Sequence, residues 1–332
     1  MSNKPGERLP CRHEQAFDKE TAMTVNEYCR KTFGRKLYKI AIDAGFTCPN
    51  RDGTLDTRGC IFCSGRGSGD FAGNRNLSVT EQIKEGADRI SGKAASRGLH
   101  PGGADYIAYF QAFTNTYAPT GKLREIYTEA ADNPKIAAIS IATRPDCLQD
   151  DVIALLRDIN QIKPVWVELG LQTIHSDSAA YIRRGYDLPV YDSAVAKLAA
   201  AGIPQIITHV ILGLPGETQG DMLETVRYVA GSGSNGIKLQ LLHILRGTDL
   251  AKDYADGKFD VMDFETYTSL VAGCLRELPE DMVVHRVTGD GPAEDLIAPL
   301  WSRDKKRVLN TIHRKIREEH CGLCKGTGPQ RF

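Results

Sequence analysis

Six short apolar segments recur along this chain, and stretches with helical periodicity separate them. The apolar segments are rich in β-branched and aromatic residues, and this alternation is typical of parallel βα units. The predicted strands are 37–43, 105–111, 136–142, 165–171, 205–212 and 236–243. The predicted helices are 79–91, 121–132, 150–159, 190–201 and 218–230, with Thr80 and Thr218 as N-caps of the first and the last. Because six strands are too few for an eight-unit barrel, we expect an α/β fold, a partial (β/α)6 TIM-like barrel with a small C-terminal α/β extension.

The pattern changes after residue 245, which suggests how the chain is organised. A helical stretch (263–277) is followed by a further predicted strand (282–289) and then by a basic helical tail. We therefore expect an N-terminal extension (1–32), the barrel (33–250), a C-terminal extension with a basic helix (251–319) and a cysteine-containing tail (320–332).

The densest group of cysteines follows the first predicted strand. Cys48, Cys60 and Cys63 lie in CPNRDGTLDTRGCIFC, with eleven residues between the first two and two between the last two. Three thiolates suit a cubane iron–sulfur cluster with one iron left open, whereas zinc would need a fourth ligand from elsewhere in the chain. A loop that follows a strand of a parallel barrel lies at the mouth, where such barrels carry their chemistry.

Composition limits the function classes further. The chain has 42 basic and 42 acidic residues, which argues against strong nonspecific binding of polyanions by the whole protein. Segments 30–39 and 302–317 are nevertheless basic, either as phosphate contacts or as solvated helix faces. The sequence has no long apolar run and no signal-peptide pattern, so we expect a cytoplasmic protein without a membrane partner. In a reducing compartment, clustered cysteines indicate metal binding or catalysis rather than disulfides.

The order of these motifs resembles the radical S-adenosylmethionine (SAM) superfamily. The eleven-residue spacing departs from the shorter one usual there, and DAGFTCPNRDGT leading into GCIFC is similar to the YhcC/YtqA-like group, which is related to Elp-type and coproporphyrinogen-oxidase-like proteins. The resemblance covers about residues 33–250. It continues through YFQAFTNTYAP (109–119), SIATRPDCL (140–148), VWVELGLQT (165–173) and GLPGET (213–218).

This resemblance implies a cofactor pair and a type of chemistry. Cys48, Cys60 and Cys63 would hold a four-iron, four-sulfur (4Fe-4S) cluster, and its open iron would chelate the amino and carboxylate groups of SAM. Reductive cleavage would give methionine and a 5′-deoxyadenosyl radical, which abstracts a hydrogen atom from the substrate. The implied partner is an electron donor such as flavodoxin or ferredoxin. No residue is assigned a catalytic role.

The resemblance also indicates contacts to SAM. The candidates are Phe62 near the adenine, Gln111 at the methionine ammonium, Thr143 and Arg144 as polar donors, Glu168 and Gln172 facing the barrel interior with Gln172 toward the ribose, Arg184 toward the carboxylate, and His209 toward the nucleoside. Residues four apart on a strand face the same way, so Glu168 and Gln172 are expected on one side of the sheet.

Several of these candidates have a structural alternative. Phe62 can shield a cluster, Arg144 can pair with Asp146, and His209 can serve as a hydrogen-bonded structural residue. Arg183 competes with Arg184 for the carboxylate, and both can instead be exposed on a surface helix.

The chain ends leave a second cysteine pair. Cys321 and Cys324 with His320, joined by Cys11 and His13, form a candidate zinc or second-cluster site that would tie the two termini together. The alternative is a flexible tail with two free thiols.

The substrate follows from the resemblance alone. Members of the group resemble enzymes that modify the wobble uridine of transfer RNA (tRNA), which makes tRNA the expected substrate. A porphyrin or another small molecule is the alternative substrate. A noncatalytic zinc- or cluster-binding RNA adaptor is the alternative from outside the enzymes.

Overall fold

The computed structural model describes residues 22–95, 105–289 and 291–325, with their side chains except those of 93–95 and 319–325. Eight strands form one sheet in which every neighbouring pair is parallel. In chain order the strands are β1 (Met23–Thr24), β2 (Tyr38–Ile42), β3 (Tyr106–Phe110), β4 (Ile136–Thr143), β5 (Val165–Gln172), β6 (Gln205–Leu212), β7 (Gly236–Leu241), β8 (Ile244–Leu245), β9 (Val283–Arg286) and β10 (Leu296–Ala298).

The sheet is an open, curled partial barrel with the order β1-β9-β7-β6-β5-β4-β3-β2. Its edge strands β1 and β2 are not paired with each other in the part of the chain that the structure describes, so the barrel does not close. The predicted fold class and all six predicted barrel strands are confirmed. Strand β9, predicted as part of the extension, and the two-residue strand β1, too short to leave a periodic signal, lengthen the sheet beyond β7.

Helices follow most strands and cover the outside of the sheet. They are α1 (Val25–Phe33), α2 (Val79–Ala95), α3 (Thr120–Asp132), α4 (Asp150–Asn160), α5 (Ser176–Tyr181), α6 (Leu188–Ala200), α7 (Gln219–Gly231), α8 (Asp249–Ala255), α9 (Phe264–Arg276) and α10 (Lys305–Lys325). The five predicted barrel helices are confirmed as α2, α3, α4, α6 and α7, with ends shifted by a few residues.

Two predicted helix caps have different outcomes. The Thr218 hydroxyl accepts the backbone N–H of Asp221 at the start of α7, as predicted. The prediction for Thr80 is wrong, because α2 begins at Val79 and Thr80 lies within its first turn. There the Ser78 hydroxyl accepts the N–H of Glu81 at 3.2 Å, and the Glu81 carboxylate accepts the N–H of Ser78 at 2.8 Å. This reciprocal pair satisfies two N–H groups that the first turn leaves unbonded.

The core lies between the sheet and its helices. Ile139 and Val167 of the central strands are fully buried, and Leu156 of α4 and Val226 of α7 are buried in the same cluster. Burying each such side chain contributes about 1.5–3 kcal/mol, so this cluster fixes the strands whose ends carry the candidate site.

The C-terminal segment continues the fold. Strand β9 lies in the main sheet between β7 and β1, while β8 and β10 form a separate antiparallel pair. The predicted boundaries between the extensions and the barrel remain predictions. Cys11 and His13 lie outside the described residues, as do the side chains of His320, Cys321 and Cys324. None of the helices within the described ranges is long and apolar enough to cross a membrane.

Candidate cofactor site at the barrel mouth

A cavity of about 240 Å³ opens where the strands end, and it brings most of the predicted site residues together. Its lining includes Cys48, Cys60, Phe62, Cys63, Gln111, Arg144, Gln172 and His209. Among the described residues, Thr143, Glu168 and Arg184 are predicted site residues that do not line it. The loop after β2 and residues of six further strands of the main sheet, β3–β7 and β9, therefore meet at one place, as the parallel topology requires.

The cysteine loop is held by polar contacts to backbone groups. The Asn50 amide donates to the carbonyl of Arg183 at 2.6 Å and lies 3.5 Å from the sulfur of Cys60. The Arg51 guanidinium donates to the carbonyls of Cys63 and Ser64 at 2.9 and 2.7 Å. These contacts fix the loop backbone, so the thiols are positioned before any ligand binds.

Two of the loop thiols, Cys60 and Cys63, are held in surroundings that disfavour a bare thiolate. Burial, together with the neighbouring Cys63, raises the pKa of Cys60 to about 12, and burial also raises the pKa of Cys63. A metal centre supplies the positive charge that deprotonated thiols lack in such a place. The donor set therefore suits a metal centre better than reactive free thiols.

The separation of the three sulfurs distinguishes a single ion from a cluster. Among the described residues, the one set of three His, Cys, Asp or Glu ligand atoms within 4.8 Å of one another is His175, Asp221 and Glu224, so at least one pair of the three cysteine sulfurs lies more than 4.8 Å apart. Thiolates around one tetrahedral zinc lie about 3.8 Å apart, given a Zn–S bond of about 2.3 Å. The wider arrangement fits a cluster, in which each thiolate binds a different iron.

Gln172 offers an unused polar group to the cavity. It has a positive φ of 72° at a register shift between β5 and β6, and its side-chain oxygen is buried without a hydrogen-bond partner in the described structure. A buried oxygen without a partner costs about 1–3 kcal/mol, so it fits a site that a hydrogen-bonding ligand completes. A β-carbon at Gly170 would lie 2.9 Å from the Gln172 amide nitrogen, which shows that this side chain folds back over Gly170.

Gln111 and Phe62 complete the upper lining. The Gln111 amide nitrogen donates to the carbonyl of Ser68 at 2.8 Å, which leaves its oxygen free to accept a hydrogen bond. Phe62 is partly buried against the small apolar cluster that contains Ile61 and Ile182. Its placement suits both predicted roles, adenine contact and cluster shielding.

The two arginines differ in their partners. Arg144 lines the cavity and makes a two-pronged ion pair with Asp146 at 2.7 and 2.9 Å, so its predicted structural pairing is present. Arg184 is buried and donates to the carbonyls of Thr173 and Tyr186 at 2.6 and 3.0 Å. Arg184 thus ties the chain after α5 to the end of β5.

Neither Arg183 nor Arg184 is a surface residue, so the exposed-helix alternative for this pair is wrong. Arg184 is 4% exposed, and the side chain of Arg183 is 18% exposed and pairs with Asp249 at 2.8 Å. The Thr143 hydroxyl, another predicted contact, lies 2.5 Å from that of Thr116 beneath the cavity.

Glu168 lies deeper in the barrel than Gln172, which corrects the expectation that both face the site alike. The register shift near Gly170 breaks the simple alternation of β5. Glu168 is fully buried and accepts hydrogen bonds from Lys39, Ser140, His209 and Lys238. Burial alone would raise the pKa of Glu168, but Lys238 and Lys39 outweigh it and hold the pKa well below its usual range.

His209 is linked to this carboxylate. Its Nε2 donates to Glu168 at 2.8 Å, and its Nδ1 accepts from the Gln240 amide at 3.1 Å. Burial, reinforced by Lys238, lowers the pKa of His209 to about 4, so the ring is neutral near pH 7. The predicted structural alternative for His209 is therefore present, although the ring also lines the cavity.

Lys238 and Tyr109 are site residues that sequence reasoning missed. Both are buried, and both line the cavity. A signal was available for Lys238: it is a charged residue inside the apolar strand GIKLQLLH, and a buried charge is paired or functional.

Comparison with known proteins identifies the family. The profile of the Radical SAM superfamily matches residues 57–229, and that of the Radical_SAM C-terminal domain matches residues 234–318. The chain belongs to the radical SAM superfamily. It is therefore a radical SAM enzyme, and membership implies a 4Fe-4S cluster, SAM and a reductant.

The most informative relatives place the chain within this superfamily. It is 44% identical over 309 residues to YtqA of Bacillus subtilis (strain 168), covering 93% of each chain, which confirms the YhcC/YtqA-like group. It is 28% identical over 209 residues to a tRNA uridine(34) acetyltransferase of Dehalococcoides mccartyi (strain CBDB1), covering 60% of this chain and 44% of that one.

A solved structure supports the fold. The archaeal Methanocaldococcus infernus Elp3 with an N-terminal deletion superposes with a TM-score of 0.62 at 15% identity, covering 84% of this chain and 63% of that chain. At this identity the likeness concerns the fold alone, and it confirms the partial TIM-like barrel.

Proposed function

We propose that Cys48, Cys60 and Cys63 hold the 4Fe-4S cluster and that SAM occupies the adjoining cavity. The observation that carries this proposal is the convergence of the three half-buried thiols and the unpartnered Gln172 oxygen on one cavity. When bound, the cluster and SAM together supply a 5′-deoxyadenosyl radical that abstracts a hydrogen atom from the substrate. The protein's own part is to position the cofactors and exclude water.

The lining residues have distinct roles in this proposal. The free oxygen of Gln111 accepts a hydrogen bond from the SAM ammonium, and Gln172 accepts one from the ribose. Arg144, oriented by Asp146, contributes positive charge near the SAM carboxylate, and Phe62 covers the adenine. Thr143, Glu168 and Arg184 do not line the cavity, so they act as positioning residues behind it.

The proposed substrate is tRNA, with the wobble uridine side chain as the site of modification. Support comes from the partial match to a tRNA uridine(34) acetyltransferase and from the exposed basic residues of α10, which include Lys305, Lys306 and Arg307. Segment 30–39 contributes less charge than its sequence suggests, because Lys39 points into the barrel toward Glu168. The proposed reductant is flavodoxin or ferredoxin.

The proposal is tested with anaerobically reconstituted protein. Reduction in the presence of SAM should release 5′-deoxyadenosine. When the substrate tRNA is labelled with deuterium, deuterium should appear in the 5′-deoxyadenosine. Tight zinc binding without 5′-deoxyadenosine would favour the noncatalytic adaptor instead. The substrate is tested by mass spectrometry of tRNA nucleosides from cells with and without the gene, where an unchanged wobble uridine would exclude tRNA and favour a small molecule.

Gly170→Ala probes the SAM contact of Gln172 without disturbing the core. The new methyl group would lie 2.9 Å from the amide nitrogen of Gln172, and this flexible side chain must move away. We expect the Kd for SAM, measured by equilibrium dialysis, to rise about tenfold through loss of a hydrogen bond to a buried oxygen. The free energy of unfolding should change by less than about 1 kcal/mol. Gly121→Ala is the control because nothing lies within 4 Å of its added methyl group; equal SAM affinity in both variants would contradict the proposed contact.

A further inference from the structure

The interior of the barrel contains a cluster of charged residues that the cofactor chemistry leaves without a role. We call Lys39, Glu168, His209 and Lys238 the lumen cluster; they lie on β2, β5, β6 and β7. Lys39 reaches one carboxylate oxygen of Glu168 at 2.8 Å, while His209 and Lys238 reach the other. The cluster therefore joins strands from opposite ends of the barrel sheet.

The charges in the lumen cluster do not balance. When both lysines are protonated, two ammonium groups face one carboxylate, and His209 is neutral near pH 7. The ring of Tyr109 lies 4.6 Å from both ammonium nitrogens and contributes only a partial negative charge. Within the described residues, no second carboxylate pairs with Lys39 or Lys238. An uncompensated buried charge is costly, so such a site favours an anion from outside the chain.

The excess positive charge faces the same cavity as the cysteines. Lys238 lines that cavity, and its ammonium donates to Glu168 and to the Tyr109 hydroxyl, which leaves one donor for a ligand. Gln240 and Arg286 also line the cavity. These three residues lie on β7 and β9, whereas the cysteine loop follows β2 at the other end of the sheet. A ligand beside these three residues would therefore lie apart from the iron–sulfur cluster and near the barrel interior.

We infer that the lumen beside Lys238 binds an oxyanion of the substrate, a carboxylate or a phosphate, and so orients the substrate for hydrogen abstraction. This inference rests on the proposed function, because it assumes that the reaction takes place in this cavity. The chemistry needed is a charge-assisted hydrogen bond from Lys238, supported by the Gln240 amide.

The protonation of Lys238 depends on the groups that lie beside its amine. Burial lowers the pKa of Lys238 well below its usual range, and Glu168 only partly opposes that effect. A second anion next to the ammonium would stabilise its charged form. The cysteine loop has a separate positive charge, because Arg51 donates hydrogen bonds to the carbonyls of Cys63 and Ser64 in that loop.

The test measures anion binding directly. Radiolabelled orthophosphate is dialysed against cluster-loaded protein saturated with SAM, so that the SAM carboxylate already occupies its own site. We expect one phosphate per chain, and we expect Lys238→Met to weaken binding at least about tenfold while Lys238→Arg retains most of it. Competition by acetate or by methyl phosphate then decides whether the site prefers a carboxylate or a phosphate.

The control is Lys84→Met, which removes a lysine from the exposed face of α2 and should leave binding unchanged. Wild-type protein that binds neither phosphate nor acetate, or Lys238→Met that binds phosphate as tightly as wild type, would overturn the inference. Should Lys238→Met fail to fold, crystals of the wild-type protein soaked in selenate take the place of the binding measurement. An anomalous selenium peak beside Lys238 supports the inference, and the absence of a peak there overturns the inference. The same preparation is assayed for 5′-deoxyadenosine. If SAM is cleaved but no anion binds, only this inference is refuted. If an anion binds but SAM is not cleaved, the proposed function is refuted.

Discussion

Cys60→Ser is expected to abolish both the iron–sulfur absorbance of reconstituted protein and the release of 5′-deoxyadenosine. A hydroxyl is a poor substitute for thiolate at an iron–sulfur centre, and the radical chemistry belongs to the cofactors. We therefore expect turnover to fall by a factor of about 1000 or more. The measurements are the visible absorbance after anaerobic reconstitution and the product yield after reduction. The fold should persist, because Cys60 lines a cavity rather than the apolar core.

The matched control is Cys147→Ala. Cys147 is buried and close enough to Cys48 for their charges to interact, yet it does not line the cavity among the described residues. We expect it to retain the cluster and the activity. A protein that loses its metal on Cys147→Ala would indicate four cysteine ligands and a closed zinc site, contrary to the proposal.

The sequence predicted those parts of the fold that depend on local periodicity. The six barrel strands and their helices follow from apolar runs and helical spacing, and they were found with small shifts at the ends. Strand β1 was missed because two residues leave no period to detect. The cap of α2 was misplaced by two residues because Ser78 and Thr80 are equivalent as capping residues in sequence, and only the reciprocal bond to Glu81 distinguishes them.

The candidate site was predictable where residues follow strand ends. Gln111, Arg144 and Gln172 each come at or after the end of a strand, and the parallel topology brings them to one mouth. Arg184 could not be placed in this way, because its position depends on the backbone carbonyls that it contacts. The depth of Glu168 was missed because a register shift in β5 is invisible in the residue pattern.

The lumen cluster shows the same limit more clearly. Lys39 and Lys238 are 199 positions apart in the chain, and only the curvature of the sheet brings both to Glu168. Periodicity identifies each strand, but it does not say which polar side chains meet inside. The sequence shows one acid in VWVELGLQ and one lysine in GIKLQL, but it does not show that the two side chains pair.

Glu168→Gln is expected to reduce the free energy of unfolding by about 3–5 kcal/mol at pH 7, because it leaves the buried Lys238 and the half-buried Lys39 without their carboxylate. The folded-state pKa of Glu168 lies below the ordinary 4.5, so its contribution is present above about pH 4.5 and is lost as the pH falls through the folded value. The difference between wild type and variant should therefore be constant near neutral pH and shrink in acid. Urea denaturation followed by the fluorescence of the two tryptophans, Trp166 and Trp301, measures both quantities. Glu224→Gln, on the exposed face of α7, is the control and should change stability by less than about 0.5 kcal/mol. Equal losses in the two variants would mean that the lumen carboxylate does not hold the barrel strands together.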